Sequence, residues 1–139
     1  MADGVADVEI LRPEGWPRPR GYADGAAASG RVVAVAGQVG WNPATGALAS
    51  DDFAAQARQA LANVRAVLRA AGAEPRHVVR LTWYLTDRDA YLAARQALGA
   101  AYREVFGTHY PAMSVVVVAG LLEPRAQVEI EATAVVPGA

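Results

Sequence analysis

Glu129 and Glu131 stand two residues apart in the otherwise apolar run Val128-Glu129-Ile130-Glu131-Ala132. The two-residue period of an extended strand puts both carboxylates on one face. Facing water, they would be the polar side of a sheet. Enclosed in a cleft, one of them could take a proton from a water molecule and so activate it. Other chemistry is thinly represented. The only histidines, His77 and His109, are too far apart for a helical metal pair, and the chain has no cysteine; no metal, thiol nucleophile or disulfide is expected. His109, just before Tyr110-Pro111, reads as a packing or solvent-facing residue rather than a base. Ser29 and Ser114 lack a G-x-S-x-G context, and Gly37-Gln38-Val39-Gly40 lacks the lysine and spacing of a phosphate loop. Arg12, Arg18 and Arg20 alternate with prolines and Trp16. They form either a solvated arm or a surface that grips a flat anion by forked hydrogen bonds and stacking. Trp41 and Trp83 read as core or interface anchors.

The elements that must position these residues follow from periodicity. Val8 to Leu11 suits a short strand, and the Pro- and Gly-rich segment after it makes residues 1–21 an irregular arm. Ala26 to Ala28 and Arg31 to Val35 read as a hairpin turning at Ser29-Gly30. Asp52 is placed to cap a helix whose apolar positions, Phe53, Ala57, Ala60, Leu61, Val64, Val67, Leu68 and Ala71, recur every three or four residues up to Gly72. His77 to Thr86 reads as a central strand. Asp87 should cap a second helix with the stripe Tyr91, Ala94, Leu98, Ala101, Tyr102 and Val105, ending at Gly107. Met113 to Ala119, a buried strand by its apolar content, and Gln127 to Val136 are expected to close the sheet as a hairpin. The predicted class is α+β: a mixed sheet with two helices packed on one face. The uncovered face must then be polar or meet another chain.

The chain has 139 residues, one domain's worth of core. Thirteen basic and fourteen acidic side chains leave a formal net charge of −1, so no broad positive field exists to attract nucleic acid. Apolar residues make up 53% and charged ones 19%, a balance that favours packing over disorder and suits a homo-oligomer with apolar interfaces. The longest apolar run is too short to span a bilayer. The first ten residues lack the layout of an export signal, so a cytoplasmic location is expected.

Several segments together carry a resemblance. Gly37-Gln38-Val39, Asn42-Pro43-Ala44-Thr45-Gly46 and Gln56-Ala57-Arg58-Gln59-Ala60-Leu61-Ala62-Asn63-Val64 are followed, in order, by Tyr84-Leu85-Thr86-Asp87, Tyr110-Pro111-Ala112 and Val128-Glu129-Ile130-Glu131-Ala132. This pattern, running from Tyr22 to Val136, resembles the Rid (reactive intermediate deaminase) family. The resemblance implies a chorismate-mutase-like fold assembled as a ring-shaped homotrimer, sheets inward, with a small cleft at each subunit interface. It also implies cofactor-independent hydrolysis of reactive enamines and imines to a keto acid and ammonia, a reaction that needs a fixed substrate, a positioned water and shelter from bulk solvent.

By the same resemblance, Glu129 matches the family's cleft carboxylate, Tyr22 its cleft tyrosine and Gly37 its close-approach glycine. Val115 stands where many members carry cysteine, one residue beyond Ser114. The departure is Met113: the family pattern has there an arginine that clamps the substrate carboxylate, and a thioether supplies neither charge nor donor. Two outcomes are open. Arg20, Arg31 or Arg80 could reach the cleft and restore anion binding, or Met113 and the tryptophans could shape an apolar pocket for a neutral or aromatic imine. The expected small-molecule site is therefore Glu129 as the catalytic group with Tyr22, Gly37, Met113, Ser114 and Val115 at the substrate. A non-catalytic metabolite-binding protein using the same cleft is the alternative. The ribonuclease activity attributed to some relatives fits poorly with the charge balance.

Overall fold

The computed structural model describes residues 7–138, so the start of the expected irregular arm, residues 1–6, lies outside the described residues. Ten short elements follow one another: β1 (Glu9–Leu11), β2 (Gly25–Ala27), β3 (Arg31–Gln38), α1 (Phe53–Ala70), a 3-10 turn (Pro75–His77), β4 (Val78–Leu85), α2 (Arg88–Ala93), α3 (Arg95–Phe106), β5 (Ala112–Val117) and β6 (Val128–Val136). Four strands form one mixed sheet in the order β3-β6-β4-β5, and β1 pairs with β2 in a separate antiparallel ribbon. The α+β class with helices over one sheet face is as expected.

Helix α1 begins where a carboxylate can satisfy its free amides: Asp52 Oδ2 accepts from the Ala55 N–H at 3.0 Å. It ends at Gly72, whose φ of +74° suits a residue without a Cβ. Its buried face joins the apolar positions Phe53, Ala57, Ala60, Leu61, Val64 and Leu68 to two amides, Gln56 and Asn63, whereas Val67 is exposed. That face packs against Val33, Val35, Leu81, Leu85, Val128 and Ile130 to make one core with α3. Buried His77 sits in the turn before β4, with Nδ1 accepting from the Glu74 N–H at 2.9 Å; burial lowers its pKa.

Four expectations are corrected. The hairpin of β2 with β3 does not form: β2 pairs with β1, and β3 pairs with β6, Arg31 facing Val136. The closing hairpin is also absent, because β6 inserts between β3 and β4 while β5 lies parallel to β4 at the edge. Both hairpins were read from closeness in sequence, and in each case a partner distant in sequence takes the strand. Nor is β5 buried in the single chain. With a neighbour on one side only, Val115, Val116 and Val117 are 38%, 41% and 54% exposed. The second helix, expected to be continuous, is divided at Ala94, whose N–H is shared by the Ala90 and Tyr91 carbonyls. The break lets Tyr91 pack edge-on against both Phe53 and Trp83, each at a centroid distance of 6.5 Å.

Candidate functional site

Side-chain alternation divides the site residues between the two sheet faces. On β6, Val128, Ile130 and Ala132 are buried under the helices, so Glu129 and Glu131 point to the helix-free face. Opposite them on β4, Tyr84 pairs with Glu129 and Thr82 with Glu131. The Tyr84 hydroxyl donates to Glu131 Oε1, and this bond, with a lesser contribution from burial, raises the tyrosine pKa. Glu131 is therefore held by a phenol, while no side chain among the described residues hydrogen-bonds the Glu129 carboxylate within the chain. What adjoins it is backbone. Between Val35 and Gln38 the β3–β6 register slips, and there an ideal Cβ on Gly37 would lie 2.7 Å from Glu129 Cδ and 2.9 Å from its Cγ. Only a glycine leaves room for the carboxylate at this irregularity.

The strand that carries Glu129 is anchored from helix α1. Buried Gln56 donates to the Ser50 and Arg125 carbonyls at 2.9 and 3.1 Å, and its Oε1 accepts from the Gln127 N–H at 2.8 Å, next to the start of β6. Asn63 in turn donates to the Val39 and Trp41 carbonyls at 3.2 and 2.9 Å, fixing the chain as it leaves β3. Gly40 permits the approach: a Cβ there would meet the Gln56 carbonyl oxygen at 2.6 Å. The Gln56 and Asn63 motif thus has a structural account: it places the two chain segments that bring Gly37 and Glu129 together.

Met113 lies on the other side of the sheet. It pairs with Leu81 in the parallel register, and Val115 pairs with Trp83, so both point to the helix face; Ser114, exposed, points away. Beside Met113 opens a cleft of about 400 Å³. Its floor is Met113, Trp83, Leu98 and Tyr110, and its rim carries Arg20, Arg95 and Arg103. The Pro-rich arm reaches it because the Ala23 N–H donates to the Pro111 carbonyl at 3.0 Å, laying residues 20–23 along the start of β5. Exposed Tyr22 lines a neighbouring cleft with Arg12, Arg18 and Tyr110. His109 is structural: its Nε2 donates to the Val78 carbonyl at 2.7 Å, and its own carbonyl accepts from the Tyr102 hydroxyl.

Of the three arginines expected as substitutes for the missing cation, Arg20 alone lines the Met113 cleft. Arg31 donates to the Ala71 carbonyl at 2.7 Å, and Arg80 lies on the helix-free face beside Glu131. Sequence reasoning missed Arg95, Gly99 and Arg103, which share a face of α3 at four-residue spacing, a pattern that by itself does not separate them from ordinary solvent-facing charges. Within one chain the structure joins Gly37 to Glu129 and Arg20 to Met113, but it puts these two pairs on opposite faces of the sheet. Among the described residues no cluster of three His, Cys, Asp or Glu could hold a metal ion, and no helix is long and apolar enough to cross a membrane.

A small α+β domain with one helix-covered sheet face, one open face and clefts at the sheet edge defines the class. The family model described as endoribonuclease L-PSP matches residues 17–136, and the chain belongs to that family, also known as the Rid family. The chain is 39% identical over 106 residues to 2-iminobutanoate/2-iminopropanoate deaminase of Salmonella typhimurium, covering 76% of this chain and 80% of that one. A conserved Rid family protein of Yersinia pestis, described as of unknown function, superposes with a TM-score of 0.82 at 36% identity, covering 94% of this chain and 99% of that one. The TdcF protein of E. coli with bound serine superposes with a TM-score of 0.68 at 32% identity, covering 92% and 98%.

Proposed function

We propose that the protein is a cofactor-independent hydrolytic deaminase of a reactive enamine or imine, with a specificity changed from the family pattern at Met113. The observation that carries this reading is the Glu129 carboxylate, free of side-chain partners among the described residues and set against the backbone at Gly37. In the reaction, an enamine first takes a proton on carbon to become the imine. Glu129 accepts a proton from water as the oxygen adds to the C=N carbon and the nitrogen is protonated; collapse of the carbinolamine expels ammonia and leaves a carbonyl. The deaminase name of the Salmonella relative supports this class of reaction.

Because Glu129 and Met113 face opposite ways in one chain, a complete site requires a second copy to bring its helix-free face to the Met113 cleft. The exposed apolar side chains of β5, and Val32 at 66% exposure on the open face, support the homotrimer of the family pattern. The test is ammonia release from imines generated in situ. Glu129→Gln should lower the rate by about 10²-fold or more with an unchanged melting temperature. An unchanged rate, or no rate above buffer in the parent protein, overturns the reading. The loss of the guanidinium at Met113 favours a second reading, a metabolite-binding protein; its signature is a ligand that raises Tm without turnover.

A further inference from the structure

We infer that the Met113 cleft binds an aromatic ligand that carries a carboxylate, and that Arg95 and Arg103 of helix α3 supply the cationic anchor that position 113 lacks. The inference rests on the reading of this cleft as the substrate site and names the ligand class.

Charge comes first. The arginines at positions 31, 58, 69, 76 and 125 each have a carboxylate or carbonyl partner; the other eight have no carboxylate within ion-pair distance among the described residues, and three of those, Arg20, Arg95 and Arg103, line this one cleft. Three unneutralised guanidinium groups thus rim one cleft in a chain of net charge −1. All three side chains are exposed and hydrated, and their forked N–H donors match a carboxylate that enters the cleft.

The helix is shaped for that anion. Arg95, Gly99 and Arg103 succeed one another at four-residue spacing, so the two arginines are about 12 Å apart along the axis with the glycine between them. A glycine within a helix costs roughly 1 kcal/mol relative to alanine. Here it lines the cleft, and a Cβ on it would lie 3.2 Å from Arg103 Nη1. The glycine leaves the helix surface open where both side chains can converge.

The walls select the rest of the ligand. Tyr102 and Tyr110 stack at a centroid distance of 5.2 Å on one side, and Trp83 meets Tyr91 edge-on at 6.5 Å on the other. Trp83 is 4% exposed, and its indole N–H is a buried side-chain donor with no partner among the described residues. An unpaired donor in a wall of the cleft is a place for a ligand oxygen or nitrogen. A volume of about 400 Å³ exceeds what a two- or three-carbon acid fills and suits a ring bearing a short acidic chain.

Phenylpyruvate, pyruvate and phenylacetone separate the two features: ring with acid, acid without ring, and ring without acid. Calorimetry on the full chain is expected to give phenylpyruvate an affinity at least ~10-fold above either of the others. Arg95→Met combined with Arg103→Met should weaken phenylpyruvate by ~10-fold or more and leave phenylacetone unchanged. Equal affinity for phenylpyruvate and phenylacetone, or unchanged phenylpyruvate binding in the double variant, overturns the inference. If that variant unfolds, Arg95→Lys and Arg103→Lys singly, each keeping the charge but losing the fork, must show intermediate weakening. Binding is measured in Glu129→Gln as well as in the parent. Retained binding without ammonia release would sink the hydrolase reading alone, whereas turnover of small imino acids without phenylpyruvate binding would sink this inference alone.

Discussion

Glu129 and Gly37 are a pair in which each explains the other. The glycine is not needed for an unusual turn, since its φ is not positive; it is needed because a carboxylate occupies the space of its absent side chain. Gly37→Ala must therefore displace the Glu129 head group or shift the backbone. Its expected effect is a loss of ammonia release of about 10-fold or more while the circular dichroism spectrum is kept, because the clash is with one side chain at a strand irregularity rather than with the core. Normal activity in Gly37→Ala would mean that the carboxylate works from another position. Alternation put Glu129 and Glu131 together on one face, whereas the choice of Glu129 between them and the role of Gly37 came from resemblance. Arg95 and Arg103 were not legible, because on a helix wheel they are ordinary solvent-face charges. What makes them a site is the arm beside β5 and the broken helix that turns Tyr91 inward, neither of which leaves a local signal.

At the scale of elements, legibility followed the range of the interactions. Both caps, both glycine stops and, exposed Val67 apart, the apolar positions of α1 are local features that follow from Asp52, Asp87, Gly72, Gly107 and the three- and four-residue spacing. Strand pairing is set by tertiary contact, and there the two nearest-neighbour hairpins failed. The buried amide Gln56 falls between these cases. It stands on the apolar face of α1 yet satisfies three backbone groups from two segments far apart in sequence. Gln56→Ala would leave the Gln127 N–H and the Ser50 and Arg125 carbonyls without that partner. Urea unfolding is expected to show a loss of about 2–4 kcal/mol, larger than for an apolar truncation of similar size at the exposed Val67. A loss under about 1 kcal/mol would show that water or the loop replaces the amide, and the anchor of β6 would have to be sought elsewhere.

For the whole molecule, the decisive fact is that the sheet has one finished face and one unfinished one. Helices α1 and α3 cover Val33, Val35, Leu81 and Ile130, but Val32 and Val116 stand on the opposite face at 66% and 41% exposure. An apolar edge strand such as β5, with no charged side chain along Ala112–Val117, invites association rather than resisting it. The proposed assembly answers both needs, since a second copy would cover the open face and complete each site with a Glu129 from one chain and a Met113 from another. Light scattering should give a particle of about three times the 14.5 kDa chain mass. Val116→Glu, placing a charge on the open face without touching the core, should shift the mass toward the single chain and abolish ammonia release together. The single chain would keep its helical signal, because the core under α1 is complete within it. A monomeric parent protein that still releases ammonia would contradict the shared site. Faces that look wrong in an isolated chain would then need another partner, and Glu129 would have to work without Met113.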